Sequence, residues 1–257
     1  MVTTNLRGGL GNYLFQIGAA STLALLHDDV AVFDFSASLK VRREVHQDIH
    51  TYKNNILRNI NNGVPVIDYT FIEPRDFSYL TIGYARNVLL DGYFQSDKYL
   101  HREYMLELFA IDTVSYDYIK SKYKNILESN STVSVHVRRG DYVQKQDKYP
   151  VQDISYYRNA FTYFSGATFI VFSDDIEWCK QNFKGDNFIF IENEHDYIDL
   201  YLMSLCKHNI IANSSFSWWG TYLNTNHDKK VIAPKIWFGP SKNLKTENIY
   251  CNDWNVI

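Results

Sequence analysis

Residues 133–143 read VSVHVRRGDYV. Val133, Val135 and Val137 alternate with Ser134 and His136 at the period of a β-strand. The chain then turns abruptly polar through Arg138, Arg139, Gly140, Asp141 and Tyr142. A short strand that ends on two adjacent arginines, a glycine and an aspartate poses the question of which anion those arginines meet. Two successive strand residues point to opposite faces unless the backbone has already turned, and Gly140 allows such a turn. One arginine can then reach a ligand while the other pairs with Asp141. Guanidinium groups present planar, forked donors that match phosphate oxygens. The alternative for the pair is a structural salt bridge.

Working outward, the segments on either side alternate strand and helix. Strands are expected at 2–6, 30–35, 88–94, 132–137, 168–172, 188–191, 209–212 and 231–233, and helices at 13–27, 97–110, 115–128, 156–164, 176–183, 196–206 and 216–224. Residues 36–88 are less periodic and are expected as helices and loops. The βα alternation argues for an α/β fold with parallel sheets covered on both faces. In such sheets ligands bind beyond the carboxyl ends of the strands, and four polar clusters fall there. They are Gly8 to Asn12, His136 to Asp141, Ser173 to Asp175, and Asn213 to Ser217.

Each cluster admits two readings. Gly9 and Gly11 begin like a dinucleotide fingerprint, but Leu14 stands at the third glycine, so the segment is either an anion-binding turn or a plain strand-to-helix turn. Asp174 and Asp175 can accept hydrogen bonds from a guanine edge or cap the following helix. Ser214, Ser215 and Ser217 around Phe216 can approach a phosphate or form an N-cap ahead of Trp218-Trp219. His136 alternates with valines and is either structural or a candidate base. No D-x-D triplet, C-x-x-C pair or His/Asp cluster has metal-ligand spacing, so no metal site and no cofactor are expected.

The chain has 257 residues, enough for one large or two small domains. Its formal net charge of −3 shows no basic half and argues against nucleic-acid binding. Three scattered cysteines, Cys179, Cys206 and Cys251, fit a reducing compartment. No stretch approaches the ~18 apolar residues of a membrane helix, and no N-terminal apolar run resembles a signal peptide. The expected location is cytoplasmic, including the inner membrane surface. The polar break at 128–131 is the expected domain boundary, giving domains 1–130 and 131–257.

Taken together, GGLGNYLFQIGAA (8–20), HVRRGDYV (136–143), FSDD (172–175) and LYLMSLCKHNIIANSSFSWWGTYLN (200–224) resemble the inverting α-1,2-fucosyltransferases of glycosyltransferase family eleven. DGYFQSDKYL (91–100) and VIAPKIWF (231–238) match in character and order. Tyr13 departs from the family's usual glutamine. The resemblance implies a GT-B-like fold of two Rossmann-like domains facing a cleft, the first on the acceptor side. It implies GDP-β-L-fucose as donor, a galactose-terminated oligosaccharide as acceptor, and no metal. Arg138 and Arg139 carry over to the donor diphosphate, Asp174 or Asp175 to guanine, and Asn213, Ser214, Ser215, Phe216 and Ser217 to the phosphates. Gly9, Gly11 and Asn12 carry over to the cleft from the other domain. Asp141 and His136 are the candidates for proton abstraction, with arginine support ranked first for Asp141. Two rivals stand beside this reading: transfer of another GDP-sugar, and a non-catalytic nucleotide- or glycan-binding protein of the same fold.

Overall fold

The computed structural model describes residues 1–38, 48–65, 68–74, 77–129 and 131–257. The strands are β1 (Val2–Thr4), β2 (Thr70–Ile72), β3 (Val88–Leu90), β4 (Thr132–Val137), β5 (Thr168–Ser173), β6 (Phe188–Phe190), β7 (His208–Ile210), β8 (Val231–Ala233) and β9 (Asn255–Val256). The helices are α1 (Leu10–Leu26), α2 (Phe35–Ser38), α3 (Arg102–Leu108), α4 (Thr113–Lys122), α5 (Lys124–Leu127), α6 (Ile154–Phe161), α7 (Ile176–Asn182), α8 (Asp196–Leu205) and α9 (Ser215–Tyr222). Short 3₁₀ turns cover Ile49–Tyr52, Asp97–Tyr99 and Gly140–Gln144.

The chain divides into two compact units. One comprises Met1–Asp112 with Lys245–Cys251, and the other Thr113–Leu244 with Asn252–Ile257. The division therefore falls before α4 and not at 130/131; Asn130 itself lies outside the described residues. The physical reason is a buried acid. Glu194 of the second unit pairs with Lys122 and accepts hydrogen bonds from Tyr118 and Tyr123, which ties α4 and its C-terminal flank to that unit.

In the first unit β1, β3 and β2 form a parallel sheet in that order. β2 falls in the aperiodic region, where no strand was expected. The expected strand at 30–35 is reduced to isolated bridges at Ala31 and Phe33, and Val30 stays exposed. Helix α1 begins at Leu10, so Gly11 and Asn12 sit inside its first turn and not ahead of it. Residues Leu10 to Ala24 are nearly all buried, as a helix apolar on every side must be.

The second unit carries the site. Its six strands are parallel in the order β6-β5-β4-β7-β8-β9. Counted along the chain from β4, that is the 3-2-1-4-5-6 order of dinucleotide-binding folds. β9 was not expected from the sequence; it has two residues and an exposed pattern. The strand order reverses between β4 and β7, which places the topological switch point just beyond Val137 and Ile210.

The two faces of β4 bury different chemistry. Val133, Val135 and Val137 pack with Tyr157 and Ala160 of α6 and with Cys179 and Phe183 at α7. The other face carries Ser134 and His136. There the Asn209 amide nitrogen donates to Ser134 Oγ (2.7 Å) and to the Met203 carbonyl (3.0 Å), and its oxygen accepts from Asn224 (2.9 Å). All three side chains are buried. Asn209→Ala leaves each partner to find another bond, at about 1–3 kcal/mol per unsatisfied buried group. The expected outcome is a lower urea midpoint with an unchanged m-value; an unshifted midpoint would show that the network contributes nothing.

Candidate active site

The site forms where β4 and β5 end side by side. Val137 pairs with Ser173 in the parallel ladder, so Arg138 and Asp174 follow at the same level. Asp174 Oδ2 meets Arg138 Nη1 at 2.8 Å, and its Oδ1 accepts from the Arg139 backbone N–H at 2.8 Å. Arg138 Nη2 also donates to Asp141 at 2.6 Å. Arg139 Nε donates to Asp175 at 2.9 Å. Gly140 is required by space: a Cβ there would overlap the Asp174 carboxylate oxygen.

The arginines leave the strand on opposite faces, as the alternation requires. Arg138 lies over the Tyr142 ring at 5.0 Å, and the Tyr142 hydroxyl donates to the Asn213 carbonyl at 3.5 Å, beside the start of α9. Arg139 lies over the Trp178 ring of α7 at 4.3 Å. Both arginine side chains are about four-fifths covered, at 22% and 20% exposure. Arg138, Arg139 and Lys145 face Asp141, Asp174 and Asp175, so three cations balance three carboxylates. Net positive charge is therefore not what the arginines offer a ligand. They offer oriented N–H donors beyond those already used, next to the positive end of a helix dipole at α9. Burial pushes the Asp141 carboxyl up, but the Lys145 hydrogen bond and the Arg138 charge outweigh it and hold its pKa below the ordinary carboxylate value. A carboxylate so held suits arginine support better than proton abstraction.

Several residues read from the sequence have structural duties. Asp175 caps α7 by accepting from the Trp178 N–H at 3.2 Å while holding Arg139, and Asp174 is committed to the arginine turn. A guanine contact by either must add to those bonds. Asn213 is a buried bracket: its nitrogen donates to the Pro150 and Trp237 carbonyls, and its oxygen accepts from Gln152. Both of its side-chain donors are used. Ser214 caps α9 by accepting from the Phe216 N–H, and the Ser217 hydroxyl is buried against the Ala212 and Ser214 carbonyls. Ser215 and Phe216 alone of this segment remain half-buried in the first turn of α9.

His136 is buried, with its ring 5.5 Å from Phe216 and no hydrogen-bond partner for Nδ1. Burial first, and the Arg138 charge second, lower its pKa to about 3. The ring is neutral at physiological pH, and so low a pKa makes it a weak base.

Gly9, Gly11 and Asn12 lie in the first unit. Gly9 is the N-cap of α1, where no side chain supplies a cap bond, and Gly11 is buried in the first turn. Gly8 adopts φ +94°, a left-handed conformation that glycine tolerates. Asn12 accepts from Gln95 at 2.8 Å. Arg7, which pairs with Asp91 at 3.1 Å and lies over Tyr93 at 5.2 Å, joins this end of the β1 and β3 strands. Tyr13 is buried, and burial followed by Asp48 raises its phenol pKa. Sequence reasoning missed Tyr142, Lys145 and Trp178 at the arginines, and Arg7 and Asp91 in the first unit. Arg7 directly before the glycines was the available signal; Asp91 falls inside the strand expected at 88–94, which the structure ends at Leu90.

The model of glycosyl transferase family 11 matches residues 1–257. The chain belongs to glycosyl transferase family 11. It is 32% identical to the Escherichia coli O-antigen biosynthesis glycosyltransferase WbnK over 96% of this chain and 98% of that one. It is 38% identical to an Escherichia coli alpha-1,2-colitosyltransferase over 57% of this chain and 55% of that one. It is 35% identical to human galactoside alpha-(1,2)-fucosyltransferase 1 over 35% of this chain and 28% of that one. Among solved structures, the fucosyltransferase NodZ from Bradyrhizobium superposes with a TM-score of 0.56 at 12% identity, covering 85% of this chain and 90% of that one. The fold is α/β and GT-B-like, with a parallel sheet in each unit, and the chain is a glycosyltransferase. Among the described residues no helix is long and apolar enough to cross a membrane.

The depressed His136 pKa carries a sign. Between the unfolded value of about 6.5 and the folded value of about 3, only the unfolded chain binds the proton, so stability falls as pH drops through that window. His136→Gln is expected to flatten this part of the stability–pH curve. An equally steep curve in the variant would remove His136 as the cause.

Proposed function

We propose that the chain transfers L-fucose from GDP-β-L-fucose to the 2-hydroxyl of a galactose-terminated oligosaccharide, with inversion, forming an α-1,2-fucoside. The observation that carries this is the placement of two oriented arginines at the switch point of a parallel sheet, with Arg138 on the side of the α9 N-terminus. Anions bind at such helix starts, and ligands of open α/β sheets bind at such switch points. The fucosyl and galactosyl parts rest on relatives that carry those words in their names.

In this reading the acceptor oxygen bonds to fucose C1 as the bond from C1 to the phosphate oxygen breaks. The acceptor proton leaves to solvent or to a base, and GDP carries away the electron pair. Charge grows on the departing β-phosphate, and Arg138 is the arginine on the α9 side that meets it. Arg139 braces the turn against Asp175 and Trp178. The guanidinium donors supply the charge stabilisation, so the transfer needs no metal and is expected to run at full rate in EDTA. The proposed location is cytoplasmic, and the three free cysteines are compatible with it.

The colitosyltransferase relative favours a second reading, in which the donor carries colitose in place of fucose. Turnover with each nucleotide sugar over a galactoside panel separates the two. Arg138→Ala is expected to cost on the order of 2–4 kcal/mol of activation free energy, with a smaller loss at Arg139→Ala. Release of GDP in a single-turnover assay measures both, and losses under about threefold at both positions would reject the assignment.

A further inference from the structure

Arg138 takes two of its partners, Asp141 and Tyr142, from one weak element. Both belong to the 3₁₀ turn Gly140–Gln144, which has no buried residue and no side-chain cap. Such turns are short and poorly bonded, so what their side chains rest on decides where they stand. Tyr142 rests on Tyr149, with ring centroids 5.1 Å apart and planes 24° from parallel. Tyr149 in turn meets Phe238 at 6.1 Å and 63°. The Lys242 ammonium lies over the Tyr149 ring at 5.2 Å. Arg138 thus begins a line of cation-on-ring and ring-on-ring contacts that runs to the segment after β8.

That segment is fastened to the one that carries Tyr149. The Lys148 carbonyl accepts from the Gly239 N–H at 2.9 Å. The Asp147 carbonyl accepts from the Ser241 N–H at 3.1 Å and from its hydroxyl at 2.7 Å. Asn213, directly before the α9 N-cap, donates to the Pro150 and Trp237 carbonyls, and Gln152 donates to the Ile236 carbonyl. Residues 147–152 and 236–241 are therefore zipped side by side. They come closest at Gly239, where a Cβ would stand 2.3 Å from the Asp147 carbonyl oxygen. That oxygen is backbone held by the zipper itself, so a side chain at 239 must push the two segments apart.

We propose that Tyr149 is a positioning residue for Arg138, acting through Tyr142, and that the 236–241 segment, closed on it at Gly239, sets where Tyr149 stands. The inference rests on the reading in which Arg138 meets the charge on the departing β-phosphate. A contact that aims Arg138 at that charge acts more in the transition state than in the ground state. Its loss lowers turnover and leaves the KM for the donor near its native level.

The test uses the full chain with Tyr149→Leu, Tyr149→Phe and Gly239→Ala, each shown to be folded by circular dichroism. Turnover is measured with GDP-fucose and lactose. The Arg138 guanidinium is followed by side-chain nitrogen NMR, assigned by its absence from Arg138→Ala. Tyr149→Phe keeps the ring and is expected to match the native chain in both measurements. Tyr149→Leu and Gly239→Ala are expected to lower kcat about tenfold, with the KM for GDP-fucose changed less than about twofold, and to shift and broaden the Arg138 signals. Gly239→Ala reaches the same stack from the other segment should Tyr149→Leu not fold. Placed in Arg138→Ala, either change is expected to add no further loss, because the residues act as one unit. The same fractional loss in both backgrounds, or Arg138 signals unmoved by both Tyr149→Leu and Gly239→Ala, overturns the proposal. A native chain without turnover on GDP-fucose counts against the transferase reading instead, and the NMR comparison still decides whether Tyr149 positions Arg138.

Discussion

The carboxylate of Asp174 joins the ends of two neighbouring strands, and the geometry of the site depends on it. One oxygen takes the Arg138 guanidinium and the other takes the Arg139 backbone N–H. The chain turns there against the same carboxylate, and a Cβ at Gly140 would push the Asp174 oxygen from its place on Arg138. With the turn set, Arg138 is directed toward α9 and Arg139 toward α7. Such partly exposed ion pairs contribute little to stability. Their consequence is positional: each guanidinium has one defined orientation before any ligand arrives, which lowers the ordering cost of binding.

The strand order explains why this turn sits where a ligand can reach it. β4 is central, and the sheet grows to one side through β5 and β6 and to the other through β7, β8 and β9. The connections diverge at the carboxyl ends of β4 and β7, so no crossover covers the space between them. The same alternation that buries three valines against α6 and α7 puts Ser134 and His136 on the opposite face. A polar residue buried there needs a partner. Ser134 has Asn209, and His136, with Nδ1 unpaired, stays neutral instead.

Much of the second unit was legible in the sequence because its strands are short, apolar and punctuated. β4 was read to the residue, and β5 through α9 to within a few residues. The arginine turn was legible as a charged strand end, and the pairing of an arginine with Asp141 as one of its readings. What could not be read was the partner of each polar side chain. Asn213 and Ser217 look like ligand-facing groups in one dimension, yet they hold backbone carbonyls in the interior. Asp174 and Asp175 look like a base-recognition pair and serve the arginines and the α7 cap. The first unit was less legible. β2 carries an exposed pattern with no alternation to find, and 30–35 makes only bridges. The unit boundary is set by the long-range contacts of Glu194, which no local composition shift announces. The family match spans the whole chain, while superposition at 12% identity speaks to the fold alone.

The most direct measurement is a crystal structure of the chain with the intact sugar nucleotide. Diphosphate oxygens within hydrogen-bond reach of the Arg138 guanidinium and the first-turn N–H groups of α9, with Asp174 still bridging both arginines, are the expected result. A diphosphate seated away from positions 138 and 139 would contradict the claim that this turn exists to receive it.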